Sequence, residues 1–275
     1  MKCQVRDLLI HYEVYGEGTP IIFLHGFGVS HRSLMGSMEP VFASQKGYKR
    51  IYVDLPGMGQ TPGKAWIKSS DHMLETVSEW IDHILPNQHF ILVGESYGGY
   101  LARGLVHQRM KEIDGLLLIC PAIHPYERIL PPQTVLETDP DLLSELTPDE
   151  AADFQQISVI QTKRIWNRFK DEISAEKHLP DMDFLTKLRT EGYSFSFDPD
   201  SLPEPFAKPA MVVTGRQDHI TGYQDAWGIL DQYPHASFYV LDRAGHFLTW
   251  EQENLFHALV REWLERVRLA TGACV

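Results

Sequence analysis

Gly94-Glu95-Ser96-Tyr97-Gly98 decides the fold, because of what stands on either side of it. Before it runs Phe90-Ile91-Leu92-Val93, a short apolar run suited to a buried parallel strand. After it, Gly99-Tyr100-Leu101-Ala102-Arg103-Gly104-Leu105-Val106 reads as a helix. A serine on a tight turn between strand and helix takes a strained backbone. Glycines on both sides, here Gly94 and Gly98, let neighbouring chain approach without a Cβ clash. The hydroxyl then stands clear of the sheet edge. The first amides of the following helix point where negative charge develops in acyl transfer. The pentapeptide alone recurs by chance; its flanks make it informative.

A serine so placed calls for an acid and then a histidine, each on a loop leaving a strand. Ala210-Met211-Val212-Val213-Thr214 reads as a strand, and Gly215-Arg216-Gln217-Asp218-His219 leaves it. Ser237-Phe238-Tyr239-Val240-Leu241 is the next strand, followed by Asp242-Arg243-Ala244-Gly245-His246. A fourth element is the buried run Ile21-Ile22-Phe23-Leu24 entering His25-Gly26-Phe27-Gly28. A glycine-containing loop there aims a backbone N–H at the serine's target. His25 is expected to be structural, its imidazole bonding backbone groups to hold that loop open.

In this order the chain resembles the α/β-hydrolase superfamily over most of its length. It is most similar to the small bacterial serine esterase and C–C hydrolase branch. The resemblance rests on His25-Gly26-Phe27-Gly28, Asp54-Leu55-Pro56-Gly57-Met58-Gly59, the serine elbow, Gly215-Arg216-Gln217-Asp218 and Ala244-Gly245-His246. It implies Ser96 as nucleophile, His246 as general base and Asp218 as its orienting carboxylate. It also implies an oxyanion hole from the amides of Phe27 and Tyr97, with no cofactor and no metal. Proline iminopeptidases usually show Gly-Gly-Pro-Gly in the oxyanion loop and Trp after the serine, where this chain has Phe27-Gly28-Val29 and Tyr97. Haloalkane dehalogenases and epoxide hydrolases carry an aspartate at the position of Ser96.

Alternating strands and helices point to an α/β fold, a doubly wound, mostly parallel sheet covered on both faces. Strand candidates fall at 21–24, 51–54, 90–93, 116–120, 210–214 and 237–241. Leu8–Tyr15 alternates like an edge hairpin strand with Gly16-Glu17-Gly18 as its turn. Met73, Leu74, Val77, Trp80, Ile81 and Ile84 repeat at helical spacing behind a Ser70 or Asp71 cap. Leu255, Phe256, Leu259, Val260, Trp263, Leu264 and Val267 share one face of a last helix. The alternation breaks after Pro121. From 122 to 206 no good buried strand is visible, and Thr147-Pro148-Asp149-Glu150 opens a helix predicted to run through Phe169. This segment reads as a helical cap inserted into a core of 1–121 and 207–275. Tyr126, Phe154, Trp166, Phe169, Phe184, Tyr193, Phe195 and Phe197 either line a pocket beneath it or form its own core.

The chain's 275 residues, 43% hydrophobic and 23% charged, are those of an ordinary globule with a sizeable core. A net charge of −12 argues against nucleic acid or anionic membrane as partner. Cys3, Cys120 and Cys274 show neither metal nor disulfide spacing, so a reducing cytoplasm is expected. The polar N-terminus lacks a signal-peptide pattern, and no apolar run approaches the ~20 residues of a membrane span. Asp54 closes a strand in turn chemistry and is expected to shape a loop. Glu95 is expected to point away from substrate, and His219 to contact the cap or solvent rather than a metal. The expected activity is hydrolysis of a small-molecule carboxylic ester by a monomer or homodimer. Its rivals are a C–C hydrolase of vinylogous diketones, an iminopeptidase-like aminopeptidase, and a ligand-binding signalling protein of the same fold. Arg103, Arg128, Arg164 and Arg168 are the candidates for a cationic clamp on a carboxylate-bearing substrate.

Overall fold

The computed structural model describes residues 1–176 and 178–272; Cys274 lies outside them. An eight-stranded sheet runs in the order β1-β2-β4-β3-β5-β6-β9-β10. Its strands are β1 (Lys2–Val5), β2 (Leu8–Tyr15), β3 (Thr19–Leu24), β4 (Tyr48–Val53), β5 (Phe90–Glu95), β6 (Ile113–Ile119), β9 (Ala210–Gly215) and β10 (Ala236–Leu241). β1 and β2 pair antiparallel; from β4 to β10 every pairing is parallel. Successive side chains of the inner strands enter opposite cores, as a period of two requires. Ile22, Leu24, Leu92, Leu116 and Leu118 join one core, Ile21, Phe23, Ile91, Val93, Leu117 and Ile119 the other.

Helices close both faces. α2 (Ser70–Ile84) and α3 (Tyr97–Arg109) pack Met73, Leu74, Val77, Trp80, Leu101 and Leu105 into the first core. α1 (His31–Phe42) and α10 (Glu253–Thr271) pack Leu34, Met38, Phe256, Val260 and Trp263 into the second. Each such side chain contributes about 1.5–3 kcal/mol of burial. Leu255, expected on the apolar face of α10, is 45% exposed.

Two further expectations fail in the first part of the chain. β2 makes its hairpin with β1, and Gly16-Glu17-Gly18 carries the chain past β4 to β3 instead of closing a hairpin. The cap of α2 is Ser69. The Ser70 hydroxyl is bonded to Tyr97 Oη and the Tyr193 carbonyl, and Asp71 accepts from Ser196 N. Long-range partners have claimed the two residues expected to cap.

Between β6 and β9 lie β7 (Glu137–Thr138), α4 (Pro140–Glu145), α5 (Pro148–Ile157), β8 (Ile160–Gln161), α6 (Lys163–Glu172) and α7 (Met182–Glu191). Thr147 and Glu150 form the expected capping box of α5. The single long helix is broken, however, and a short buried strand stands where none was expected. After α5 ends at Ser158, the amides of Val159 and Ile160 donate to Glu251 Oε1, and Ile160–Gln161 pairs with β7. Only Ile165, Trp166 and Phe169 then share a helical face, on α6. They pack with Phe154, Phe247 and Trp250, so the inserted segment seals onto the loop that carries His246. Here α9 (Leu248–Glu251) supplies Trp250 and Glu251, and α8 (Gln224–Trp227) follows the Asp218 loop. No described helix is long and apolar enough to cross a membrane.

Candidate active site

Ser96 sits between β5 and α3 with φ 54° and ψ −116°, a left-handed conformation that an L residue adopts only under constraint. The constraint is visible. Its N–H donates to Ile119 O (2.9 Å), and its carbonyl accepts from Ala122 N (3.0 Å) and Tyr100 N (3.2 Å). The flanking glycines allow the close approach. A Cβ on Gly98 would stand 2.0 Å from Leu24 O, and one on Gly94 would stand 2.4 Å from Gly98 O.

The loops after β9 and β10 bring Asp218 and His246 to this serine. His246 Nε2 lies 3.1 Å from Ser96 Oγ, and its Nδ1–H donates to Asp218 Oδ2 at 2.9 Å. Asp218 Oδ1 accepts from the amides of Ile220 and Thr221, and Oδ2 accepts the Thr221 hydroxyl at 2.7 Å. Burial alone would raise the Asp218 carboxyl. The His246 charge and hydrogen bond, with the Thr221 donors, outweigh it and bring the group down to about 2. Burial likewise pulls the His246 imidazole down, and Asp218 more than offsets it, so the net shift is upward.

The loop after β3 faces the same point. Among the described residues neither the Phe27 nor the Tyr97 amide donates to a protein acceptor. Gly26 lies against Ser96, and Gly28 N donates to Met58 Sδ at 3.2 Å. His25 holds the loop as expected: Nδ1–H donates to Gly26 O (2.7 Å) and Nε2 accepts from Leu55 N (3.0 Å). That pattern requires a neutral ring, and burial lowers its pKa to about 4.

Ser96 and His246 open into a cavity of about 300 Å³. Its wall includes Phe27, Glu95, Gln156, Ile157, Tyr193 and Trp250. Glu95, expected to point away from substrate, is among the residues lining this cavity beside Ser96. Of the four arginines expected near the site only Arg128 reaches the wall, and Arg189, which periodicity never singled out, joins it. Arg103 is buried against Asp200 and two carbonyls, Arg164 bonds Trp250 O, and Arg168 is held by Glu172 and Glu253. His219 Nε2 is bonded to Gln156 O of α5, a contact with the inserted segment as expected. Of the aromatics left open by the sequence, Tyr193 lines the cavity, and Phe154, Trp166 and Phe169 form core between the insert and Phe247 and Trp250. A larger depression of about 630 Å³, around Gly63, Lys64, Asp181 and Phe184, has none of the serine, histidine and aspartate set.

A second buried cluster carries no sequence signal beyond Asp54 itself. Asp54 Oδ1 accepts from His31 N and Nδ1 (2.9 and 2.8 Å); Oδ2 accepts from His11 Nδ1 and Gln60 N (both 2.9 Å). Asp54 thus shapes its loop, as expected, and also accepts the first amide of α1, whose cap is Ser30. Both this cluster and Cys120–Asp218–His246 have the grouping of a metal site, but each carboxylate is already filled by N–H and O–H donors.

Fold and site together define an α/β enzyme of the hydrolase type. The sequence profile of the alpha/beta hydrolase family matches residues 21–259, and the chain belongs to that family. The 2-hydroxy-6-oxononadienedioate/2-hydroxy-6-oxononatrienedioate hydrolase 2 of Pseudomonas putida is 23% identical over 94% of this chain and 92% of its own. The pimeloyl-(acyl-carrier protein) methyl ester esterase of Legionella pneumophila strain Corby is 24% identical over 93% and 99%. Among solved structures, an alpha/beta superfamily hydrolase from Oenococcus oeni PSU-1 superposes with a TM-score of 0.87 at 29% identity, covering 98% and 99%.

Proposed function

We propose that this hydrolase cleaves small carboxylic esters through an acyl-enzyme, with Ser96, His246 and Asp218 as its catalytic residues. The observation that carries the reading is the hydrogen-bonded chain Asp218–His246–Ser96 opening into a cavity of only about 300 Å³, the small end of ligand-site volumes. His246 Nε2 takes the Ser96 proton as Oγ attacks the ester carbonyl. The amides of Phe27 and Tyr97 receive the oxyanion, and the imidazolium is stabilised by Asp218. The alcohol leaves with the proton from His246. Water then attacks the acyl group with His246 again as base. Residues 122–206 act as the cap, since Arg128, Gln156, Ile157, Arg189 and Tyr193 come from them.

One rival has a specific observation in its favour. Arg128 and Arg189 line the cavity, and neither has a carboxylate partner among the described residues. They would suit a carboxylate-bearing C–C substrate, the class named in the Pseudomonas putida relative. Against it, three Arg128 N–H groups already donate to the carbonyls of His124, Ile220 and Pro125, and Glu95 adds an acid beside the nucleophile. The test is kcat/KM across p-nitrophenyl esters from acetate to decanoate, beside an aminoacyl naphthylamide and a vinylogous diketone acid. A maximum among the short esters is expected. A maximum on the diketone acid or the amide transfers the function to that rival.

A further inference from the structure

Glu95 is left over by the hydrolytic scheme. It is one of the residues lining the Ser96 cavity, with Ser33, Trp250 and His246, and it is partly buried there. Among the described residues no N–H or O–H donates to it. The contrast with the other deep carboxylates is sharp. Asp218 and Asp54 are each met on both oxygens, and Glu251 accepts from the amides of Val159, Ile160 and Gly245. A partly buried carboxylate at the cavity wall with no protein donor is free to accept from a bound molecule. The charges felt by Glu95 are those of His246 and of Glu172 of α6, and Glu172 is already held by Arg168. Burial first, and then the Glu172 charge, push the Glu95 carboxyl up to about 7 against the pull of His246. A group in that range accepts from a neutral hydroxyl and, once ionised, attracts an ammonium.

We propose that Glu95 is a specificity-determining residue that accepts a hydrogen bond from the substrate. The preferred ester then carries a donor, a hydroxyl or a protonated amine, within a few bonds of the scissile carbonyl. Glu95 directly precedes Ser96 in the chain, which sets the short reach, and a tertiary ammonium or hydroxyl on the leaving alcohol would meet it. This inference rests on the ester reading for its substrate class but not for its test.

Two size-matched pairs of butyrate esters separate the sources of the donor. The first is 2-hydroxyethyl against n-propyl; the second is 2-(dimethylamino)ethyl against 3-methylbutyl. With kcat/KM normalised to hydroxide-catalysed rates, the intact protein is expected to prefer the donor-bearing member of each pair by about tenfold, and more for the ammonium. Glu95→Leu collapses both ratios towards one. Glu95→Gln, which keeps the shape and an acceptor oxygen, retains the hydroxyl preference and loses most of the ammonium preference. Ratios within one variant cancel any general loss of activity. The same orders are expected in dissociation constants of the four esters measured by calorimetry on Ser96→Ala protein, where no turnover is needed. Equal treatment of both pairs by the intact protein overturns the proposal, as do preferences that survive Glu95→Leu. Donor-dependent binding without turnover of any ester would leave Glu95 as the recognition group and remove the ester reading alone.

Discussion

Two buried aspartates in this molecule are almost chemical twins. Asp218 and Asp54 are both fully buried and both accept from histidine Nδ1, and both sit below the ordinary carboxylate range although burial pushes the other way. The difference lies on the far side of the imidazole. His246 Nε2 faces the Ser96 hydroxyl and a cavity. His31 Nε2 is buried without a hydrogen bond, 3.4 Å from Glu13 Oε1. An aspartate–histidine pair is thus a positioning device. In the proposed mechanism it turns catalytic where a hydroxyl and room for substrate complete it; elsewhere it fastens loops, as Asp54 fastens α1 and the Gln60 turn.

The largest expected effect sits on the side proposed to be catalytic. Ser96→Ala should remove ester turnover by about six orders of magnitude while the thermal midpoint holds, because the hydroxyl supports no core. Full activity in the folded variant would end the mechanism. Asp218→Asn should lower kcat by up to about four orders of magnitude, since the histidine loses its tautomer lock and counter-charge. His219→Ala should cost under about tenfold. A reversal of those two results would assign the acid elsewhere.

On the structural side the loss should appear as stability. Asp54→Ala leaves three N–H donors of His11 and His31 and the Gln60 amide without an acceptor, and about 3–5 kcal/mol of unfolding free energy should disappear in a urea titration. If Asp54→Ala proved as stable as the parent but as inactive as Asp218→Asn, the two clusters would have been assigned the wrong way round.

The smallest effect is in pH. Burial pulls His31 down, but Asp54 outweighs it, so His31, like His246, is raised above its usual 6.5. A raised histidine stabilises the fold fully below its unfolded pKa, and that contribution is lost as pH rises through the folded value. Stability should therefore decline from about pH 6.5 upward, and His31→Gln should remove the share due to the Asp54 cluster. Asp218 and Asp54 act in the opposite sense: their contribution is present above 3.8 and is lost as pH falls towards their depressed values. Activity should follow His246 instead, rising with pH through a midpoint above 6.5 that Asp218→Asn moves downward. A midpoint that moved with His31→Gln would couple the two clusters and break the distinction.

Much of this was legible beforehand because the decisive signals are local. A buried parallel strand needs a continuous apolar run, and an elbow needs glycines at Gly94 and Gly98. A helix face repeats at a fixed spacing whatever it packs against. Hence β5, the serine turn, the loops of Asp218 and His246, and the packed faces of α2 and α10 were readable without coordinates. The errors arose where distant residues compete for a local group. Ser70 and Asp71 were drawn away from capping by Tyr97, Tyr193 and Ser196. The helix after Thr147 was cut where Glu251, far along the chain, takes two amides.

The sequence by itself determined the family, the places of the sheet's inner strands along the chain and the candidates Ser96, Asp218 and His246, because each depends on a few neighbouring residues. Only the tertiary structure decided that Glu95 is among the cavity's lining residues, that Arg128 and Arg189 reach it while Arg103, Arg164 and Arg168 do not, and that His11 and His31 close on Asp54. Those outcomes depend on which side chains from remote segments arrive at the same place, and on which of them satisfies a buried charge first.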